Sequence, residues 1–265
     1  MKKITALFFT VLLSLLVIGC AQEQTSSTWE QIEEKGYFVL GLDDTFAPMG
    51  FRDDNGDLVG FDVDLAKEVA LRLGIEVVFQ SIDWDSKVLE LNSKTIDMIW
   101  NGLTITDSRL LEMSFSEPYL ANSQIIIVNS DSSVDQISDL EGLSVGVQIS
   151  SASEEAVVGN DIYSSLGEFV KYDTFNFALL DLKNGTIDAV VIDEIMGRYM
   201  LSQVDDTYKI CLENFGTEEY GIGFRLEDTD FRDMVNQVLL EMILDGTTAE
   251  ISVKWFDEDV FLNRE

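Results

Sequence analysis

Apolar and polar positions alternate along this chain with two periods, and the switch between them marks the elements. YFVLGL (37–42) is an apolar run of strand length and predicts a buried strand. FDVDLAKEVALRLG (61–74) places Phe61, Leu65, Val69 and Leu73 on one helical face before Gly74 ends it. IEVVF (75–79) predicts the next strand, SKVLELN (86–92) a short helix and IDMIW (96–100) a third strand. Strand, helix and strand in succession imply a parallel sheet with helical crossovers.

The same grammar restarts after residue 124. QIIIV (124–128) and LSVGVQ (143–148) read as strands, and an amphipathic stretch begins at Ala152. EFVKY (168–172), a helix near 176–184 and IDAVVI (187–192) follow. LNSKTIDMIW (91–100) and LKNGTIDAVV (182–191) are alike, each a helix end, a turn and a buried strand opening with Ile-Asp. A pattern repeated at equivalent places in both halves predicts an α/β protein of two similar lobes. YGIGF (220–224) reads as a strand and 230–244 as a helix, and either lobe could receive them. In open α/β sheets ligands bind beyond the carboxyl ends of the strands, so the residues after Trp100, Gln148 and Ile192 are where a site should lie.

The N-terminus reads as an address and not as part of the fold. Lys2 and Lys3 precede an apolar run from Ile4 to Ile18, short for a membrane span. The run stops at LVIGC, with Gly19 before Cys20; an uncleaved anchor helix is the alternative. AQEQTSST behind Cys20 is short and polar, as a flexible tether would be. Nothing later in the chain approaches an apolar segment of spanning length.

Charge and composition then remove whole classes of function. Without residues 1–19 the chain carries 15 basic against 49 acidic side chains, a formal charge of −34, which repels nucleic acid and anionic head groups. Its apolar content is that of a globular body with the acids outside, and the acidity fits a salty habitat or a cationic ligand equally. There is no histidine, which excludes His-based acid–base catalysis, a Ser-His-Asp triad and most transition-metal sites. With Cys20 used at the N-terminus, Cys211 stands alone, so no disulfide or zinc cluster forms, and it reads as a small buried apolar residue. No phosphate-binding glycine loop is present, and no metal or cofactor is expected.

Several residues beyond the strand ends could bind a ligand. Arg109 is the only basic side chain between residues 95 and 170, and follows the third strand through NGLTITDSR. Its planar fork matches a carboxylate, and Asn101, Gly102 and Thr104 offer backbone and hydroxyl groups nearby; by itself the pattern favours a structural ion pair or helix cap over a ligand clamp. Ser151 and Glu154 have capping-box spacing, so a helix should start there with free amides that favour an anion. Asp193, after four apolar residues, is a surface turn residue or a charge aimed into a cleft, and the sequence favours the former. Phe46 and Trp84 could cover a ligand's apolar part or pack locally, and Asp43 could accept from a side-chain amine or amide.

GLDDTFAPMGF (41–51), DLVGFDVDLAKEVA (57–70), IDWDSKVLELNSKTIDMIWNGLTITDSR (82–109) and FSEPYL (115–120) together resemble the polar amino acid family of extracellular solute-binding proteins of ABC importers. VGVQISSASEEA (145–156), LKNGTIDAVVIDE (182–194) and DGTTAEISVKWF (245–256) extend the likeness over the rest of the chain. LVIGC similarly resembles the lipobox of bacterial lipoproteins, whose cysteine, here Cys20, is acylated. The resemblance implies a type II periplasmic-binding-protein fold: two lobes of mostly parallel sheet flanked by helices, joined by two crossing strands and closing on the ligand. It places lobe 1 at 29–121 and 219–265 and lobe 2 at 122–218, behind a signal peptide (1–20) and tether (21–28).

Residue by residue, the family implies that Arg109 binds an α-carboxylate, helped by the Thr104 amide and those around Ser151 and Ala152. Asp193, the Thr104 hydroxyl and the Gly102 carbonyl would hold the α-ammonium. Asn101 would form the cleft wall, Phe46 and Trp84 would flank the ligand side chain, and Asp43 would meet its polar end. The family often carries Gly where Ser150 stands and Ser or Thr where Ala152 stands. The acidic cleft favours arginine, lysine or glutamine. The expected protein is a monomer held to the membrane by lipid, partnered by ABC permease subunits, and not an enzyme. The rival readings are a ligand-sensing lipoprotein and a dehydratase-like enzyme on the same fold.

Overall fold

The computed structural model describes residues 26–204 and 206–262. The signal segment, Cys20 and most of the expected tether lie outside the described residues. Ser27 and Thr28, expected in that tether, instead start a helix: Ser27 and Glu30 form a capping box for Thr28–Lys35. No helix among the described residues is long and apolar enough to cross a membrane.

Two five-stranded sheets form two lobes. In the first, Tyr37–Leu42 runs parallel between Glu76–Ser81 and Met98–Ile99, and Gly223–Phe224 and Ser114–Phe115 complete the edge. In the second, Ser144–Gln148 runs parallel between Glu168–Tyr172 and Ala189–Asp193, followed by Leu120–Asn129 and Tyr208–Tyr220. The positional correspondence is strand for strand. Its physical basis lies in the repeated Ile-Asp: Asp97 Oδ2 accepts the Val39 amide and Asp188 Oδ2 accepts the Ser144 amide, each at 2.8 Å. The paired isoleucines pack over glycine in the central strand. A Cβ on Gly41 would stand 2.5 Å from Ile96 Cδ1, and one on Gly146 2.6 Å from Ile187 Cδ1.

Leu120–Asn129 and Tyr208–Tyr220 pair antiparallel from Leu120 opposite Tyr220 to Asn129 opposite Tyr208, with register shifts around Asn214. Tyr220 also bridges to Thr104, and the Ile105 amide donates to Glu219, so these two strands carry the chain between the lobes. Phe61–Leu73 packs on the first sheet as its periodicity predicts, with Phe61, Leu65 and Val69 fully buried and Gly74 closing it in the left-handed region. Each such burial stabilises the lobe by about 1.5–3 kcal/mol. Thr229–Asp245 and Thr247–Phe256 return to the first lobe, where Phe231 packs on Phe38 and Phe256 on Phe61. Cys211 is buried, its thiol donating to the Val134 carbonyl, and burial pushes it up to about 11.

Several elements depart from the expected pattern. The third strand is only Met98–Ile99, and the run read at 220–224 divides, Tyr220 closing one strand and Gly223–Phe224 forming another. Residues 45–59, to which the pattern assigned no element, form a small sheet of Thr45–Phe46, Gly50–Arg52 and Leu58–Val59. Glu194–Ser202 is a helix that begins directly after Asp193.

Candidate functional site

The carboxyl ends of the two parallel sheets face one another, and a small cavity lies between them. Phe46, Trp84, Gly102, Thr104, Arg109, Ser151, Ala152 and Asp193 line it, together with Gln148, which the sequence pattern did not single out. Asn101 stands behind the cavity instead of at its wall: its Oδ1 accepts the Asp43 amide at 3.0 Å, so it shapes the loop that carries Asp43. Asp43 lines an adjoining cavity, and its carboxylate is held by Thr45 and, across the cleft, by Gln148 Nε2 at 2.8 Å.

Arg109 leaves the short helix Asp107–Leu110, whose first turn is capped by Thr106, and its guanidinium is buried. Nη1 donates to the Thr104 carbonyl at 2.8 Å and Nη2 to the Ser150 carbonyl of the opposite lobe at 3.1 Å. Burial works against its charge, and Asp193, Glu155 and Glu218 supply the opposing field. Ser150 has φ +57°, the left-handed backbone that favours glycine. Its carbonyl also accepts from Lys87 Nζ at 2.8 Å. Lys87 is buried without a carboxylate partner within bonding distance, lies 4.9 Å from the Trp84 ring centre, and is pushed down to about 7 by burial and by Arg109.

Ser151 caps Ala152–Val158 by accepting the Glu154 amide at 3.1 Å. The expected capping box is only half formed, because the Glu154 carboxylate turns to the Ser150 amide and to Lys171. Thr106 and Ser108 donate to Glu155 on that helix, and the Phe46 and Phe175 rings lie 6.1 Å apart, so the lobes are closed on each other.

Asp193 is not a surface turn residue. It is buried, and its Oδ1 accepts from Asn122 at 2.8 Å, Gln124 at 3.0 Å and the Tyr220 hydroxyl at 2.8 Å. Burial and then Glu218 push it up to about 7. Asn122, Gln124 and Glu218 were missed in the sequence; the one signal was a polar NSQ interrupting an apolar strand. Gly102 sits at φ +56°, and a Cβ there would stand 2.9 Å from the Phe46 ring. Asp62 fixes it, Oδ2 accepting the Gly102 amide at 2.7 Å and the Tyr119 hydroxyl at 2.9 Å; full burial pushes Asp62 up to about 7. Among the described residues no cluster of acids or cysteine could hold a metal.

Two α/β lobes joined by two strands, with a buried cation and a buried acid lining one cavity between them, have the architecture of a small-molecule-binding protein. Residues 38–258 match the bacterial extracellular solute-binding proteins of family 3, and the chain belongs to that family. The family comprises binding proteins and not enzymes, and its members work outside the cytoplasm. The L-cystine-binding protein TcyJ of Escherichia coli K12 is 32% identical over 236 residues, 87% of this chain and 86% of that protein. The arginine-binding extracellular protein ArtP of Bacillus subtilis is 29% identical over 260 residues, 97% of this chain and 98% of that protein. An ABC uptake transporter substrate-binding protein from Streptococcus pneumoniae, crystallised with bound histidine, superposes with a TM-score of 0.87 at 36% identity, covering 90% of this chain and 99% of that one.

Proposed function

We propose that this protein is the lipid-anchored substrate-binding component of an ABC importer for a polar amino acid, with arginine favoured over lysine and glutamine. The observation that carries the reading is that Arg109 and Asp193, of opposite charge and from opposite lobes, line one small cavity between them. Arg109 takes the α-carboxylate with the amides around Ser151 and Ala152. Asp193, the Thr104 hydroxyl and the Gly102 carbonyl take the α-ammonium. A molecule lacking either charge leaves its partner desolvated and unpaired at a cost of about 1–3 kcal/mol, which selects free amino acids over peptides.

The adjoining cavity shares Trp84 and supports a cationic side chain. Asp43, Asp44, Asp83, Asp85, Glu90 and Asp173 line it, and no basic residue does. The cystine-, arginine- and histidine-binding relatives agree on an amino acid and differ on which one. The lobes fall at 29–121 with 219–265 and at 122–218, closure is sensed by permease subunits, and the protein acts as a monomer held through Cys20. Isothermal titration against the standard amino acids and cystine tests this, with Arg109→Ala and Asp193→Ala beside the native chain. The expected result is tight binding of one or a few polar amino acids, abolished by either substitution. Silence across the panel overturns the reading.

A further inference from the structure

The ammonium side of the cavity holds a second acid. Asn122 Nδ2 donates to Asp193 Oδ1 at 2.8 Å and to Glu218 Oε1 at 2.6 Å. Gln124 Nε2 does the same at 3.0 and 2.8 Å. Neither amide is free to turn: Asn122 Oδ1 accepts the Ile195 amide and Gln124 Oε1 accepts the Ser153 hydroxyl. Both NH2 ends are therefore committed to the two carboxylates. The arrangement follows from the hinge, where Glu218 stands opposite Asn122 and Asp193 opposite Gln124. Two oxygens that share donors in this way lie within the ~4–6 Å over which like charges oppose each other's ionisation.

We propose that Asp193, set against the Glu218 carboxylate by two shared amide donors, holds a proton in the open cleft, that an arriving ammonium expels it, and that Glu218 is thereby a positioning residue for ammonium recognition. The proposal rests on the amino-acid reading above. Glu218 also accepts the Thr104 hydroxyl hydrogen at 2.8 Å, which leaves the Thr104 oxygen as an acceptor toward the cavity it lines. The other charged and titratable groups around the pair are few. Arg109 and the Tyr220 hydroxyl face Asp193, Tyr119 lies against Tyr220, and Glu155 acts on Arg109. Arg109 is committed to the ligand carboxylate, so the second negative charge of the pair awaits the ligand's own ammonium. In the exchange the ammonium keeps its three hydrogens, the pair goes from one negative charge to two, and one proton leaves to buffer. Burial and Glu218 place the titration of Asp193 at about 7, so the exchange falls in the neutral range.

The test is calorimetric titration of the full protein and of Glu218→Gln with L-arginine, in buffers of different ionisation enthalpy, between about pH 5.5 and 7. The native protein is expected to release about one proton per ligand near pH 5.5 and about half of one near pH 7, with affinity falling by up to about tenfold per pH unit on acidification. Glu218→Gln leaves the burial of Asp193 in place but removes the opposing charge, so it is expected to release fewer protons, with the pH dependence shifted to lower pH. Arginine binding without proton release, or a release and pH dependence unchanged in Glu218→Gln, overturns the proposal while leaving the amino-acid reading intact. If no amino acid binds, that reading fails, and infrared titration of the protein alone decides the proton. The chain has no histidine, and Asp62 contributes equally to both proteins. A protonated-carboxyl band that disappears near pH 7 in the native protein beyond the Asp62 contribution, and whose excess moves to lower pH in Glu218→Gln, upholds the Asp193 proton; identical titrations overturn it.

Discussion

Gln148 Nε2 reaches across the cleft to Asp43 Oδ2 at 2.8 Å, joining the end of the second lobe's central strand to the loop after the first lobe's central strand. The same amide donates to the Asp173 carbonyl at 3.0 Å, so Asp43 faces a neutral donor that a ligand's cationic end could displace. Exchanging an amide for a guanidinium at a carboxylate gains a charge-assisted bond. Asp43→Asn should therefore weaken L-arginine by about tenfold, or ~1.4 kcal/mol, and leave L-glutamine within about threefold. Competitive titration of the two ligands reads the ratio. Equal losses for both would assign Asp43 to the loop and not to selectivity.

Ser150 holds left-handed backbone at φ +57° because its carbonyl has to face Arg109 and Lys87. A side chain there costs about 1 kcal/mol relative to glycine. Ser150→Gly should raise the melting temperature by about 2–4 °C and keep the Arg109 bond, since that bond uses the carbonyl. Differential scanning calorimetry measures the shift, and an unchanged or lower melting temperature would show that the hydroxyl contributes more than the strain.

The frame of this site is legible in the sequence through its strand ends. Leu42, Ile99, Gln148 and Asp193 close runs of buried apolar residues whose length and boundaries can be counted, and the doubled Ile-Asp marks the two lobes by itself. What escapes is carried by pairing between distant strands. Tyr208–Tyr220 has no period of two, because it leaves one sheet for the space between lobes and bulges around Asn214 on the way. Glu218 therefore reads as one acid among many. Asp193 reads as a turn because its partners Asn122 and Gln124 lie some seventy residues earlier, and nothing local says that three donors will converge on it.

Asp62 makes a prediction about pH. Burial raises its carboxyl from the ordinary 3.8 to about 7, while its Oδ2 holds Gly102 and Tyr119 in place. A raised acid contributes stability that is full below pH 3.8 and lost as pH rises through about 7. The native chain should therefore melt at a lower temperature at pH 8 than at pH 5, with Asp193 acting in the same direction. Asp62→Asn should reduce that difference. Melting curves across the range check it, and an undiminished pH dependence in the variant would assign the slope to Asp193 and the surface acids alone.

Lys87 and Arg109 both leave the first lobe and donate to the one Ser150 carbonyl of the second. Lys87 brings no ligand-matching geometry, and its other donor bond goes to the Trp84 carbonyl at 3.0 Å, so its contribution falls on closure. A hydrogen bond is worth about 0.5–1.5 kcal/mol net, and closure forms the Ser150 bond while opening breaks it. Lys87→Met keeps the apolar stem over Trp84 and removes that bond. The variant should bind L-arginine about three- to tenfold more weakly, and should show a larger radius of gyration by solution X-ray scattering both before and after the amino acid is added. Native scattering and native affinity together would show that Arg109, Glu155 and the Phe46–Phe175 contact hold the lobes without it.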